Sequence, residues 1–131
     1  MQRMLLDGTF LVDLHKEVQR DQRGPARRFA EAHDARVALS VVSVAEFLEG
    51  QANYREGFRW LKSRFQKVLE ITQPVAVVAG AMQRVLRAQG RQLGENDAWQ
   101  AALCLYHGLA IVSRDNRFSH VPRLKALRHA R

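Results

Sequence analysis

Four acidic residues that are far apart in the chain lie at predicted junctions between strands and helices: Asp7, Glu46, Asp97 and Asp115. Two bare carboxylates about 4 Å apart repel by roughly 4 kcal/mol at an effective dielectric constant near 20. A cleft that gathers four such groups therefore needs a cation. Oxygen ligands alone suit Mg²⁺ or Mn²⁺ better than zinc, which prefers His and Cys. These residue types predict the binding of a hard divalent metal ion.

Each acid also has a local interpretation, because helix N-termini favour acidic side chains. Ser43 and Glu46 fit the capping box S-x-x-E, in which the Glu46 carboxylate accepts a hydrogen bond from the Ser43 amide. Asp7, Asp97 and Asp115 are likewise placed to cap helices or turns. A cap contributes only about 1 kcal/mol, and Ser, Thr or Asn would serve as well. A full negative charge at all four positions therefore favours one shared site.

The apolar pattern predicts the elements that must position these acids. Short apolar runs predict strands at residues 4–6, 36–42, 68–72, 109–113 and 124–127, the last at an edge of the sheet. Helical spacing predicts helices from Thr9 onwards and at residues 25–33, 43–50, 54–65, 75–86 and 97–107. Strands that alternate with helices indicate a mostly parallel sheet of four or five strands, covered on both faces.

The expected topology directs three of the acids towards one end of the sheet. Ligands of such open sheets bind beyond the carboxyl ends of the strands. Asp7 and Asp115 directly follow predicted strands, and Glu46 lies one helical turn beyond another. The sequence therefore predicts that these side chains share a cleft.

Composition limits the class of protein. The chain has 131 residues, with 21 Lys and Arg against 13 Asp and Glu, for a net charge of +8. This excess of positive charge favours a polyanionic binding partner, and it favours nucleic acid over anionic lipid as that partner. The length predicts one domain at residues 1–131. The longest nearly apolar stretch, at residues 74–82, is far shorter than the roughly 20 residues that span a bilayer. Together with the single cysteine, Cys104, this predicts a cytoplasmic protein without membrane association.

Three segments resemble, in order, the successive signatures of PIN-domain ribonucleases: LLDGTFLVDL, SVVSVAEFLEG and GENDAWQAALCLYHGLAIVSRDNRF. The most similar type is the VapC-like toxin of type II toxin–antitoxin pairs, and the resemblance covers nearly the whole chain. It implies a three-layer α/β/α sandwich, usually a homodimer, that cleaves RNA with Mg²⁺ or Mn²⁺. It also implies a cognate antitoxin that covers the cleft and places a basic side chain among the acids.

The resemblance assigns metal binding and water activation to the four acids Asp7, Glu46, Asp97 and Asp115. Thr9 falls where such proteins carry a Ser, Thr or Asn that supports the first acid, and Ser113 falls at the hydroxyl position before the last acid. One position departs from the pattern, because Gly8 replaces the Thr of the usual Asp-Thr-Asn or Asp-Thr-Ser. Gly8 removes a hydroxyl and loosens the backbone without deleting a carboxylate, so altered geometry or affinity is expected.

Polar residues beside the acids are further candidates for the site. Arg114 and Arg117 flank Asp115 and are the arginines expected to meet substrate phosphate near the cleft. Asn96, next to Asp97, is expected either to orient the cleft or to cap a helix.

Two alternatives to a metal-dependent endoribonuclease remain open. A non-catalytic RNA- or partner-binding module with a degenerate metal site would be consistent with Gly8. A phospho-acceptor signalling domain also gathers acids at strand ends. It would place a lysine near the last strand, however, and Arg114 with no nearby lysine argues against it.

Overall fold

A parallel sheet forms the centre of the molecule. The computed structural model describes residues 3–33 and 36–130. In this part of the chain the strands are β1 Met4–Leu6, β2 Val37–Ser40, β3 Val68–Leu69, β4 Ala110–Val112 and β5 Ala126–Leu127. They lie in the order β3-β2-β1-β4-β5, and every neighbouring pair is parallel. The predicted sheet of four or five strands is confirmed, with β5 at an edge.

Helices cover both faces of this sheet. They are α1 Gly8–Gln19, α2 Pro25–His33, α3 Val41–Glu49, α4 Tyr54–Arg64, α5 Gln73–Ala88 and α6 Glu95–His107, with a 3-10 helix at Asn116–His120. Side chains of a strand alternate between the faces. Met4 and Leu6 of β1 accordingly pack in one core with α1 to α4, whereas Leu5 packs in a second core with α5 and α6. The expected three-layer α/β/α sandwich is therefore confirmed.

The junction between β2 and α3 differs from the sequence-based prediction. The strand ends at Ser40 because Ser40 is the N-cap of α3, with φ −112° and ψ 162°. Its Oγ accepts from the Ser43 amide at 3.0 Å, and Ser43 Oγ accepts from the Ser40 amide at 2.9 Å. The capping box thus joins Ser40 and Ser43, and the predicted box of Ser43 with Glu46 is wrong by one helical turn. Glu46 lies in the second turn of α3.

The end of α6 positions β4. The helix stops at Gly108, which adopts a left-handed conformation with φ 68° and ψ 41°, as favoured by glycine after a helix. The chain then enters β4, which pairs with β1 in the middle of the sheet. Within the described residues, no helix is long and apolar enough to cross a membrane.

Candidate metal centre

Three of the four predicted acids meet at the carboxyl end of the sheet. Asp7 follows β1, Glu46 lies on α3 beyond β2, and Asp97 lies in the first turn of α6. Each offers a carboxylate oxygen, and these oxygens lie within 4.8 Å of one another. The strand order explains the convergence, because β1 and β2 are neighbours and α6 packs against both β1 and α3.

Asp7 is buried and held by hydroxyl groups on one side. It is 3% exposed, and its Oδ2 accepts from Ser113 Oγ at 2.7 Å and from Thr9 Oγ1 at 2.9 Å. The two hydroxyl residues predicted from the sequence, Thr9 and Ser113, thus both form hydrogen bonds with Asp7. Asp7 occupies the N-cap position of α1, yet among the described contacts its carboxylate makes no capping hydrogen bond. Its side chain is instead directed towards Glu46 and Asp97, with which it forms the group of three carboxylates.

Gln100 is a component of the site that sequence reasoning missed. It is fully buried on α6, and its Nε2 donates to Asp7 Oδ1 at 3.3 Å and to Glu46 Oε1 at 3.4 Å. Its Oε1 accepts from Ser40 Oγ at 2.7 Å, which orients the amide. Gln100 lies three residues after Asp97 and therefore on the same face of α6. That spacing was the one signal in the sequence that could have identified it.

Burial and mutual repulsion disfavour the charged forms of Glu46 and Asp97. Burial, followed by the charges of Asp7 and Asp97, raises the pKa of Glu46 above its ordinary value. Hydrogen bonds from Asn96 and Gln100 oppose this rise. Burial also raises the pKa of Asp97, with the nearby Arg117 acting against it and the charge of Asp7 adding to it. A cation placed among these carboxylates would relieve their mutual repulsion.

Asp115 lies outside this group of three carboxylates and has a local partner. It is the N-cap of the 3-10 helix, and its Oδ1 accepts from the Arg117 amide at 3.0 Å. Arg117 Nε donates to Asp115 Oδ2 at 2.8 Å, and Arg117 Nη2 forms a second contact with the same oxygen. These hydrogen bonds lower the pKa of Asp115. The Asp115 amide donates to Ser113 Oγ at 3.0 Å, which links this turn to Asp7.

The two predicted arginines have different surroundings. Arg117 Nη2 lies 3.6 Å from Asp97 Oδ2, so this side chain borders the acidic group. Arg114 Nε lies 3.3 Å from Oδ2 of Asp13, a residue of α1. Asp13 also contacts the buried His129 at 2.8 Å. Of the two arginines, only Arg117 therefore contacts a carboxylate of the candidate metal centre.

Gly8 has a steric role that the sequence did not reveal. It is the first residue of α1, and a Cβ atom at this position would lie 2.8 Å from Glu46 Oε1 and 2.9 Å from Glu46 Cβ. Contacts this short require α1 or α3 to move. The absence of a side chain therefore permits the close approach of Glu46 to Asp7.

The donor set suits a hard divalent cation. All three groups within 4.8 Å are carboxylates, and no His or Cys of the described chain belongs to the group. Asp7 is buried and fixed by three side-chain donors, while Glu46 and Asp97 are half-buried. Oxygen ligands of this kind favour Mg²⁺ or Mn²⁺ over zinc.

Comparisons with known structures agree with this architecture. A chain of the DNA-bound VapBC structure from Salmonella typhimurium superposes with a TM-score of 0.79 at 18% identity, covering 99% of this chain and 100% of that one. A chain of VapBC2 from Rickettsia felis, bound to a promoter DNA fragment, superposes with a TM-score of 0.81 at 16% identity. The match covers 97% of this chain and 98% of that one. A chain of VapBC-1 from nontypeable Haemophilus influenzae superposes with a TM-score of 0.74 at 22% identity, and the match covers 100% of both chains. These likenesses establish the shared fold.

The sequence itself also matches a family model. No curated protein gives a significant match to the chain. The model of the PIN domain, however, matches residues 4–124, which is most of the length and includes every acid of the cleft. The chain therefore belongs to the PIN domain family.

Proposed function

We propose that this protein is a Mg²⁺- or Mn²⁺-dependent endoribonuclease that hydrolyses RNA phosphodiester bonds, acting as the VapC-like toxin of a toxin–antitoxin pair. The observation that carries the proposal is the approach of Asp7, Glu46 and Asp97 to within 4.8 Å, in a chain of the PIN domain family. Membership of the family and the basic net charge of +8 support RNA as the substrate.

The residues of the cleft divide into ligands and supports. Asp7, Glu46 and Asp97 would hold the ion, which when bound supplies a water of lowered pKa and positive charge for the phosphate. We propose that one of these carboxylates also takes the proton from the attacking water. Thr9, Ser113 and Gln100 would fix the orientation of Asp7, because each donates a hydrogen bond to its carboxylate.

The edge of the cleft would contact the RNA. The resemblance to the PIN motifs assigned Asp115 to the metal site. We propose that Asp115 acts through Arg117, which donates hydrogen bonds to its carboxylate. Arg117 is 64% exposed and would meet the substrate phosphate beside Asp97, and Arg114 is proposed to contact the RNA backbone further out. Asn96 would help to orient Glu46, with which it forms a hydrogen bond. Phosphate contacts of this kind weaken as salt rises.

The proposed partners are a cognate antitoxin and a second copy of the chain. VapBC and FitAB complexes among the structural neighbours support the antitoxin. Exposed apolar side chains on α5 and α6, among them Val77, Val85 and Tyr106, support a homodimer. We further propose that residues 1–131 act as one domain in the cytoplasm, consistent with the buried, unpaired Cys104.

Cleavage assays with variants test the proposal. Purified protein should cut RNA with Mg²⁺ or Mn²⁺ and stop when excess EDTA is added. Asp7→Asn and Asp97→Asn should lose most of this activity, because each removes a charged ligand. Glu95→Gln is the matched control, since Glu95 is an exposed acid in the same first turn of α6 and should leave cleavage intact. Full cleavage in EDTA, or by Asp7→Asn, would contradict the proposal.

A non-catalytic RNA- or partner-binding module is the alternative function. Its support was Gly8, which departs from the usual motif. The contact of Gly8 with Glu46 weakens that support, because the missing side chain makes room for a carboxylate of the cleft. This alternative predicts RNA binding without metal-dependent cleavage, and the assays above separate the two.

A further inference from the structure

We infer that Arg117 fills the space between Asp97 and Asp115, so that the cleft binds one divalent cation rather than two. The guanidinium lies between Asp115, whose oxygens it contacts, and Asp97, whose Oδ2 is 3.6 Å from its Nη2. The inference rests on the proposed function, because it concerns how many ions the same site holds.

The contacts of Asp115 leave its oxygens committed to Arg117. Oδ1 accepts from the Arg117 amide at 3.0 Å and from its Nε at 3.1 Å. Oδ2 accepts from Nε at 2.8 Å and from Nη2. A guanidinium that approaches a carboxylate in this forked geometry makes the strongest class of side-chain ion pair. A metal bound by Asp115 would have to displace several of these hydrogen bonds at once.

The same guanidinium opposes a second ion through its charge. A divalent ion shared by Asp97 and Asp115 would lie beside a fixed positive charge that already contacts both residues. Arg117 is also only two residues from Asp115, which is the N-cap of the 3-10 helix that contains Arg117. The backbone amide of Arg117 adds a further hydrogen bond to Asp115 Oδ1. The pair is therefore local and forms again readily after any displacement.

The first ion site does not depend on this pair. Its three carboxylates, Asp7, Glu46 and Asp97, lie within 4.8 Å without Asp115. Gln100 and the hydroxyl groups of Thr9 and Ser113 orient two of them. One ion among three carboxylates, with Arg117 as the second cation, neutralises much of the charge of the four acids.

Counting bound Mn²⁺ on the full chain tests the inference. Isothermal titration and Mn²⁺ electron paramagnetic resonance should give one ion per chain for the parent protein. Arg117→Gln should bind a second ion, and the double variant Arg117→Gln/Asp115→Asn should return to one. Arg114→Gln is the matched control, because it removes the same charge from the same loop, and it should bind one ion. Arg117→Lys, which keeps the charge, should also bind one.

The outcomes separate this inference from the proposed function. Two ions on the parent, or one ion on a folded Arg117→Gln, would overturn the inference while a metal-dependent nuclease would stand. No ion on the parent would overturn both. If Arg117→Gln fails to fold, Asp115→Asn decides: a parent that binds one ion should keep that ion in Asp115→Asn, whereas loss of the ion would show that Asp115 is a ligand despite Arg117 and would overturn the inference.

Discussion

Gly8 and Glu46 lie so close together that a Cβ atom at position 8 would stand 2.9 Å from the Cβ of Glu46. Gly8 begins α1 and Glu46 lies in the second turn of α3, so this contact sets how near the two helices approach at the mouth of the cleft. The metal-binding geometry that we propose depends on this approach, because it brings the Glu46 carboxylate to Asp7.

Substitution of Gly8 should therefore destabilise the protein. Gly8→Ala places a Cβ against Glu46, and Gly8→Thr restores the residue that related motifs commonly carry while adding still more volume. We expect a loss of about 1–3 kcal/mol in the free energy of unfolding, as for overpacked sites. Affinity for Mn²⁺ should fall with it. Urea unfolding and Mn²⁺ titration measure the two effects.

Gly80 provides the control for that experiment. It lies within α5, and a Cβ there would meet nothing within 4 Å. Gly80→Ala should raise stability by up to about 1 kcal/mol, because alanine is the better helix former. A Gly8→Ala variant as stable as the parent would show that α3 yields easily and that Gly8 does not set the position of Glu46.

Replacement of Gln100 should weaken both the fold and metal binding. Gln100→Leu removes the donor that links Asp7 to Glu46 and the acceptor of the buried Ser40 hydroxyl. A buried polar group left without a partner costs about 1–3 kcal/mol. Denaturant unfolding and Mn²⁺ titration should both report a loss, whereas Gln89→Leu, at an exposed site, should match the parent. Unchanged Mn²⁺ affinity in Gln100→Leu would contradict the orienting role.

Stability of the metal-free protein should depend on pH through Glu46. Its pKa in the folded chain is raised, so the folded state binds this proton more tightly than the unfolded state does. The charged form therefore destabilises the fold above the raised pKa, and this cost disappears as pH falls through it. Asp97 contributes in the same direction.

The matching experiment compares Glu46→Gln with the parent in EDTA over a series of pH values. The variant should be the more stable of the two at neutral pH, and the difference should close as the solution becomes acidic. Glu49→Gln, an exposed acid at the end of α3, should show no such trend. A Glu46→Gln variant that is less stable than the parent at neutral pH would contradict the predicted repulsion.

The sequence predicts much of the framework because strands and helices leave local patterns. The strand that ends at Leu6 is an apolar run, so the position of Asp7 at the end of the sheet follows from topology. Ser113 was singled out only by the resemblance to the PIN motifs, since the strand was predicted to include it and instead ends at Val112. Glu46 was harder to interpret, since its role depends on where α3 begins. The helix starts from Ser40 rather than Ser43, and this single turn removes Glu46 from the capping box.

Other parts of the site depend on side-chain contacts that spacing does not encode. Gln100 lies in a largely apolar stretch of α6, and its contacts to Asp7 and Glu46 span 93 and 54 residues of chain. The sequence indicates only that Gly8 loosens the backbone, whereas in the structure Gly8 leaves room for Glu46 of α3. The pairing of Asp115 with Arg117 was equally unanticipated, although the two residues are only two apart.

The most direct test of the proposed function is one titration of metal-free protein with Mn²⁺ in which bound metal and RNA cleavage are followed together. Cleavage should be absent without metal and should rise in parallel with occupancy of the Asp7, Glu46 and Asp97 site. Asp7→Asn should lose both signals at the same Mn²⁺ concentrations. Cleavage that proceeds before any metal binds, or full occupancy without cleavage of any RNA, would contradict the account.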